Sequence, residues 1–124
     1  MSNTVLIIDD AEFMRVMLAD IVEDMGMTVV GQAADGQEGY DAFQNLNPDL
    51  TLMDITMPKM DGLESLKMIL SAKSDASVVM ITALGQKEQV LASIKAGARD
   101  FIIKPFDQER VQETLSRIEN LCTV

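Results

Sequence analysis

An α/β fold built on a parallel sheet with helices on both faces is what this 124-residue sequence predicts, and three observations carry the prediction. Five short strand-like stretches alternate with five stretches of helical periodicity, the order that builds parallel sheets through crossover helices. The strand-like stretches are nearly unbroken apolar runs, such as Val5-Leu6-Ile7-Ile8, Leu50-Thr51-Leu52-Met53 and Val78-Val79-Met80-Ile81, as expected for strands buried on both faces. Each of these runs also ends in a residue suited to phosphoryl chemistry. The first runs into Asp9-Asp10, the second into Asp54 and the third into Thr82, while Phe101-Ile102-Ile103 runs into Lys104-Pro105. If the runs are neighbouring parallel strands, their carboxyl ends share the sheet edge where open α/β folds hold ligands.

Taken in order, Val5 to Ile8 is the first strand. Glu12 to Met25 is helical, with Met14, Met17, Leu18, Ile21, Val22 and Met25 recurring at three- and four-residue steps until Gly26 stops it. Thr28 to Ala33 is β-rich; the turn Asp35-Gly36 leads into a helix from about Gln37 to Leu46 that turns Tyr40, Phe43 and Leu46 inward. Asn47-Pro48 closes it, and Asp49 to Asp54 is the third strand. Pro58 and Asp61-Gly62 hold 55–62 as a loop before a helix from about Leu63 to Ala72, with Leu66, Ile69 and Leu70 inward. Ser77 to Thr82 is the fourth strand, Gln86 to Ala96 a helix ended by Gly97, and Arg99 to Ile103 the fifth strand. Asp107 caps a last helix using Val111, Leu115, Ile118 and Leu121.

Length predicts one domain over 1–124, with nothing left for an output module. Apolar residues at 48% against 24% charged exclude a disordered chain. A formal charge of −10 argues against nucleic-acid and anionic-membrane binding, where the main electrostatic contribution would be repulsive, and suits cationic surfaces and divalent ions. Cys122 is the single cysteine, so neither an internal disulfide nor a cysteine-based zinc site is available. With no signal-peptide-like or membrane-length apolar run, a cytoplasmic protein is expected. The absence of histidine removes the commonest general base near neutral pH, the triads that depend on it and a phosphohistidine on this chain. No glycine-rich phosphate loop is present, so ATP is not expected as the direct substrate.

Asp9, Asp10 and Asp54 side by side would repel, each raising the others' pKa, unless a cation intervenes. Magnesium suits them, since one or two carboxylates, waters and a substrate phosphate are its usual surroundings. Asp54 is the best candidate nucleophile, because a carboxylate accepts a phosphoryl group as an aspartyl phosphate. The metal and Lys104 then supply positive charge and Thr82 a hydroxyl donor. Taken singly, each acid reads better as a turn or cap residue, and Thr82 as an ordinary strand residue; their coincidence at strand ends is what favours a site. Most of the ten methionines read as core filler, with Met57 and Met60 shaping the loop after Asp54. Val90 and Ile94, four apart with Phe101 nearby, read either as an exposed ridge or as core.

With Asp9-Asp10, Met53-Asp54-Ile55-Thr56-Met57-Pro58-Lys59-Met60-Asp61-Gly62, Thr82-Ala83, Lys95-Ala96-Gly97-Ala98 and Lys104-Pro105-Phe106 in order, the chain resembles a response-regulator receiver domain. The resemblance covers essentially the whole chain and is nearest to the stand-alone chemotaxis type of Gram-positive and thermophilic bacteria. It implies a doubly wound, flavodoxin-like sheet of order 2-1-3-4-5 with five helices. It implies phosphorylation on Asp54, and Mg²⁺ held by Asp10, Asp54 and the backbone carbonyl of Thr56, with Asp9 acting through water. Thr82 and Lys104 would contact the phosphoryl oxygens, Phe101 would be the switch aromatic, and Lys104-Pro105 would be cis. The implied donor is a phosphohistidine of a histidine kinase, CheA in chemotaxis, and the implied target is the flagellar switch, FliM or a related subunit. That target would meet the fourth helix, fifth strand and fifth helix, where Val90, Ile94 and Phe101 lie. A monomer is expected that catalyses only its own phosphorylation and dephosphorylation; its phosphatase is not implied. Thr56 replaces an asparagine of the enterobacterial form, Leu84 stands two after Thr82, and Phe101 replaces the commoner tyrosine, departures that bear on dephosphorylation rate and switch polarity.

Two other classes fit less well. A metal-dependent aspartyl phosphatase needs an acid-x-acid pattern followed by Thr or Val on the first strand, and Asp9-Asp10-Ala11-Glu12 does not supply it. A non-phosphorylated interaction module would have no need of the full acidic set. Within the family, the alternative is a receiver of another phosphorelay, such as a sporulation type. Ala83-Leu84-Gly85-Gln86 and Ile94-Lys95-Ala96-Gly97-Ala98 favour the chemotaxis type.

Overall fold

Alternating apolar runs and amphipathic stretches fold into ten elements in a computed structural model that describes residues 3–118. They are β1 (Thr4–Ile8), α1 (Glu12–Asp24), β2 (Thr28–Ala33), α2 (Gly36–Leu46), β3 (Leu50–Asp54), α3 (Gly62–Ala72), β4 (Val78–Ala83), α4 (Lys87–Ala96), β5 (Asp100–Lys104) and α5 (Gln108–Ser116). Leu121 and Cys122 lie outside the described residues. The strands form one parallel sheet of order β2-β1-β3-β4-β5, so the chain winds outward from β1 in one direction and then in the other. No helix among the described residues is long and apolar enough to cross a membrane.

The period-two alternation of strand side chains divides the core into two layers. Val5, Ile7, Leu50, Leu52, Val79, Ile81 and Ile102 face Leu18 and Val22 of α1 and Val111 and Leu115 of α5. Leu6, Ile8, Met53, Val78 and Met80 face the other way, onto Phe43 of α2 and Leu66 and Ile69 of α3. β2 departs from the fully buried pattern, with Val29 and Val30 only half-buried, because it is an edge strand. Leu46, expected inward, is 41% exposed. It sits at the end of α2 over that same edge, where a Cβ on Gly31 would stand 2.5 Å from Leu46 Cδ1, so one side of the leucine covers the glycine and the other meets solvent. Met17 is likewise 41% exposed, on the flank of an α1 stripe wider than the core needs.

Both Asp-Gly turns begin helices. Asp35 accepts the Glu38 N–H at 2.9 Å and Asp61 accepts the Glu64 N–H at 2.9 Å; Asp107 does the same for Arg110 at 2.8 Å. Each such cap contributes about 1 kcal/mol. The backbone and side-chain bonds at Asp35 hold its carboxyl below the usual carboxylate range, with the Glu38 N–H as the largest cause and nearby Lys59, at 3.6 Å, adding to it.

Candidate functional site

Sheet register brings the site together. Ile8 pairs with Met53, so Asp9 and Asp54 each follow by one residue at the ends of adjacent strands; Asp54 pairs with Ile81, and Ala83 with Lys104. By the same alternation Asp9, Asp54 and Lys104 belong to the α1 and α5 side of the sheet. Thr82 belongs to the other side, as does Phe101, whose register partner is Met80. The loop after β3 is fixed by Gly62, whose N–H donates to the Ile55 carbonyl at 2.7 Å. A Cβ there would stand 2.2 Å from the Asp54 carbonyl oxygen, so only glycine lets α3 begin so close to the end of β3.

Asp9 and Asp54 are buried and Asp10 is exposed, yet one carboxylate oxygen from each lies within 4.8 Å of the others. Three hard oxygen donors at that spacing fit a divalent cation of the magnesium type and leave room for water and a substrate oxygen. Lys104 Nζ stands 3.5 Å from Asp9 Oδ2 and 3.7 Å from Asp54 Oδ1. The Ala11 N–H donates to Asp9 Oδ1 at 2.9 Å, and the Thr56 N–H makes a long 3.4 Å bond to Asp54 Oδ1. Burial, then the charge of Asp9, raises the Asp54 carboxyl from 3.8 to about 6; Lys104 and the Thr56 N–H pull it back only in part, and Asp10 adds a smaller upward push. A carboxylate so placed stands to gain from any positive charge brought beside it.

Two contributors escaped the sequence reading. The sequence offered no guanidinium beside the acids, but Arg15, one turn into α1, donates to the Asp9 carbonyl at 2.6 Å and to Gln32 Oε1 at 3.2 Å. It steadies the backbone of Asp9 and not its carboxylate. Gln86 is the other: its Oε1 accepts from Thr82 Oγ1 at 2.9 Å and from the Ala83 N–H at 2.7 Å, and its Nε2 donates to Thr56 Oγ1. Gln86 stands out in the sequence only as part of Ala83-Leu84-Gly85-Gln86, and nothing in that motif points to these contacts. The Lys104-Pro105 peptide is cis.

The two readings of α4 both contain part of the answer. Val90 and Phe101 are half-buried against the second core layer, whereas Ile94 is exposed, as are Leu91 and Ile103. Of α4, Ser93 alone is fully buried among the described residues.

The family profile "Response regulator receiver domain" matches residues 5–116. A chemotaxis protein CheY of Thermotoga maritima is 45% identical over 118 residues, covering 95% of this chain and 98% of its own. A Bacillus subtilis protein named CcdB is also 45% identical, covering 92% of this chain and 95% of its own. Among solved structures, a chain of the CheX-CheY-BeF₃-Mg²⁺ complex of Borrelia burgdorferi superposes with a TM-score of 0.87 at 38% identity, covering 91% of this chain and 86% of that one.

Proposed function

The chain belongs to the response-regulator receiver domain family, and from that premise we propose that it accepts a phosphoryl group on Asp54 in a Mg²⁺-dependent reaction and signals chemotaxis through the flagellar switch. The observation that carries the reading is the convergence of Asp9, Asp10 and Asp54 within 4.8 Å, with Lys104 Nζ 3.7 Å from Asp54. Asp10, Asp54 and the carbonyl of Thr56 would hold the metal, and Asp9 would act through water. Bound there, the magnesium ion neutralises the carboxylates and the charge developing on the transferred group.

Asp54 Oδ attacks the phosphorus of a phosphohistidine; the new P–O bond forms as the P–N bond breaks, and the electron pair returns to the donor's imidazole. Little covalent chemistry is asked of the protein, which chiefly positions and neutralises. Lys104 provides a charge-assisted contact to a phosphoryl oxygen, and Thr82 a hydroxyl donor. Phosphorylation draws Thr82 toward the site; Phe101, on the same side of the sheet, then packs further inward and reshapes the surface at Val90 and Ile94.

The relatives named for chemotaxis support a kinase of the CheA type as donor and FliM or a related subunit as target. The protein acts in the cytoplasm and catalyses only its own phosphorylation and dephosphorylation. Because the CcdB relative matches equally well without a chemotaxis name, partner assays separate this reading from a receiver of another phosphorelay. A switch-protein peptide that binds the phosphorylated form more tightly supports chemotaxis. Phosphotransfer onward to a second histidine protein, with no gain for the peptide, supports the relay.

A further inference from the structure

The Thr82 hydroxyl and the Ala83 N–H are two hydrogen-bond donors at the carboxyl end of β4, and both meet one acceptor. Gln86 Oε1 lies 2.9 Å from Thr82 Oγ1 and 2.7 Å from Ala83 N, and the Thr82 hydroxyl has a longer alternative acceptor in the Ala83 carbonyl at 3.2 Å. The other end of the same carboxamide donates to Thr56 Oγ1, so the side chain ties the loop after β4 to the loop after β3. Gln86 occupies the N-cap position of α4 but makes no side-chain cap bond there. It is turned back over β4 through Gly85, which has a φ of +91°, open space where a Cβ would be and therefore no packing reason for its shape. Its own carbonyl accepts the Val90 N–H at 3.0 Å, a bond of the first turn of α4.

A hydroxyl has a single proton. While Thr82 donates to Gln86 it cannot donate to an oxygen on Asp54, and the Ala83 N–H is committed to the same acceptor. A charged phosphoryl oxygen makes a stronger bond than a neutral amide oxygen, so it displaces the amide at a cost equal to the bonds given up. We propose that Gln86 is a positioning residue whose carboxamide holds the Thr82 and Ala83 donors when Asp54 is unmodified and releases them on phosphorylation, setting how far the resting state is favoured. The proposal rests on the reading of Asp54 as phosphoryl acceptor. Because Gln86 begins α4, the release is passed directly to the helix that carries Val90 and Ile94.

A simple structural tie and a competing acceptor predict opposite results. The tie, when cut, loosens the site and weakens binding of a phosphoryl mimic; the competing acceptor, when removed, strengthens it. The test is amide NMR on the full chain as wild type, Gln86→Met, Thr82→Val and the double variant, with Gln86→Ala as a second removal of the acceptor. Without ligand, the Ala83 amide should exchange about three- to tenfold faster in Gln86→Met, the loss of one neutral hydrogen bond. Titrated with beryllofluoride and Mg²⁺, Gln86→Met and Gln86→Ala should bind about three- to tenfold more tightly than wild type, and the gain should shrink in the Thr82→Val background. Unchanged or weaker binding by both Gln86 variants, with wild type binding normally, overturns the role of Gln86 alone. Wild type that binds no beryllofluoride overturns the reading of Asp54 and this proposal with it.

Discussion

Lys104 Nζ lies 3.7 Å from Asp54 Oδ1 and 3.5 Å from Asp9 Oδ2, one cation set against two buried carboxylates. Its attraction falls short of offsetting burial and Asp9, which leave Asp54 near 6. Replacing Lys104 by methionine should raise the Asp54 carboxyl further and slow phosphorylation from acetyl phosphate by about 10²-fold, the usual loss for one preorganised electrostatic contact in a transition state. Single-turnover rates at saturating Mg²⁺ check this; an unchanged rate would place Lys104 outside the transfer step.

The raised carboxyl also makes stability depend on pH. Between 3.8 and about 6 the folded protein binds a proton at Asp54 that the unfolded chain has released, so Asp54's contribution is fully present below 3.8 and lost as pH rises through about 6. Above pH 6 the charged group burdens the metal-free fold by on the order of 1–2 kcal/mol, less than the whole shift converts to because the site opens to water. Asp54→Asn should therefore be more stable than wild type at pH 7 and no more stable at pH 3.5. Urea melts in the absence of metal measure both differences, and saturating Mg²⁺ should narrow the first.

Asp10 is the exposed member of the acidic set, so its removal should affect binding without disturbing the core. Asp10→Asn should weaken Mg²⁺ by about tenfold or more and slow phosphorylation in parallel, while the metal-free fold is unchanged or slightly more stable as repulsion falls. Calorimetric titration with Mg²⁺ gives the affinity; wild-type affinity in the variant would remove Asp10 from the ligand set.

On the proposed reading Thr82 transmits the phosphoryl state, since a modification shifts an equilibrium only by its different interaction with the two states. Thr82→Ala should still be phosphorylated, since the metal and Lys104 remain. Its affinity for a flagellar-switch peptide should rise less on adding beryllofluoride than that of wild type. Equal gains would show that another residue carries the signal.

The strands and the residues at their ends were legible in the sequence for one reason. A strand buried on both faces is apolar nearly throughout, so the polar residue at its end stands out, as Asp9, Asp54 and Thr82 do; Lys104 stands out after the apolar run of β5 although that strand lies at the sheet edge and is only partly buried. Where burial is partial the signal weakens: β2 at the sheet edge and the last turn of α2 at Leu46 are less buried than their patterns imply. The parts played by Arg15 and Gln86 were not legible. Their partners are backbone groups and hydroxyls brought near by the turn into α1 and by the left-handed turn at Gly85, and no spacing rule encodes such contacts.

The central claim is that Asp54 takes the phosphoryl group. Incubation of wild type and Asp54→Asn with acetyl phosphate and Mg²⁺, followed by borohydride trapping and peptide mass spectrometry, tests it most directly. One adduct is expected on wild type, located at Asp54 and dependent on Mg²⁺, and none on the variant. An adduct at another residue, or undiminished labelling of Asp54→Asn, would contradict it.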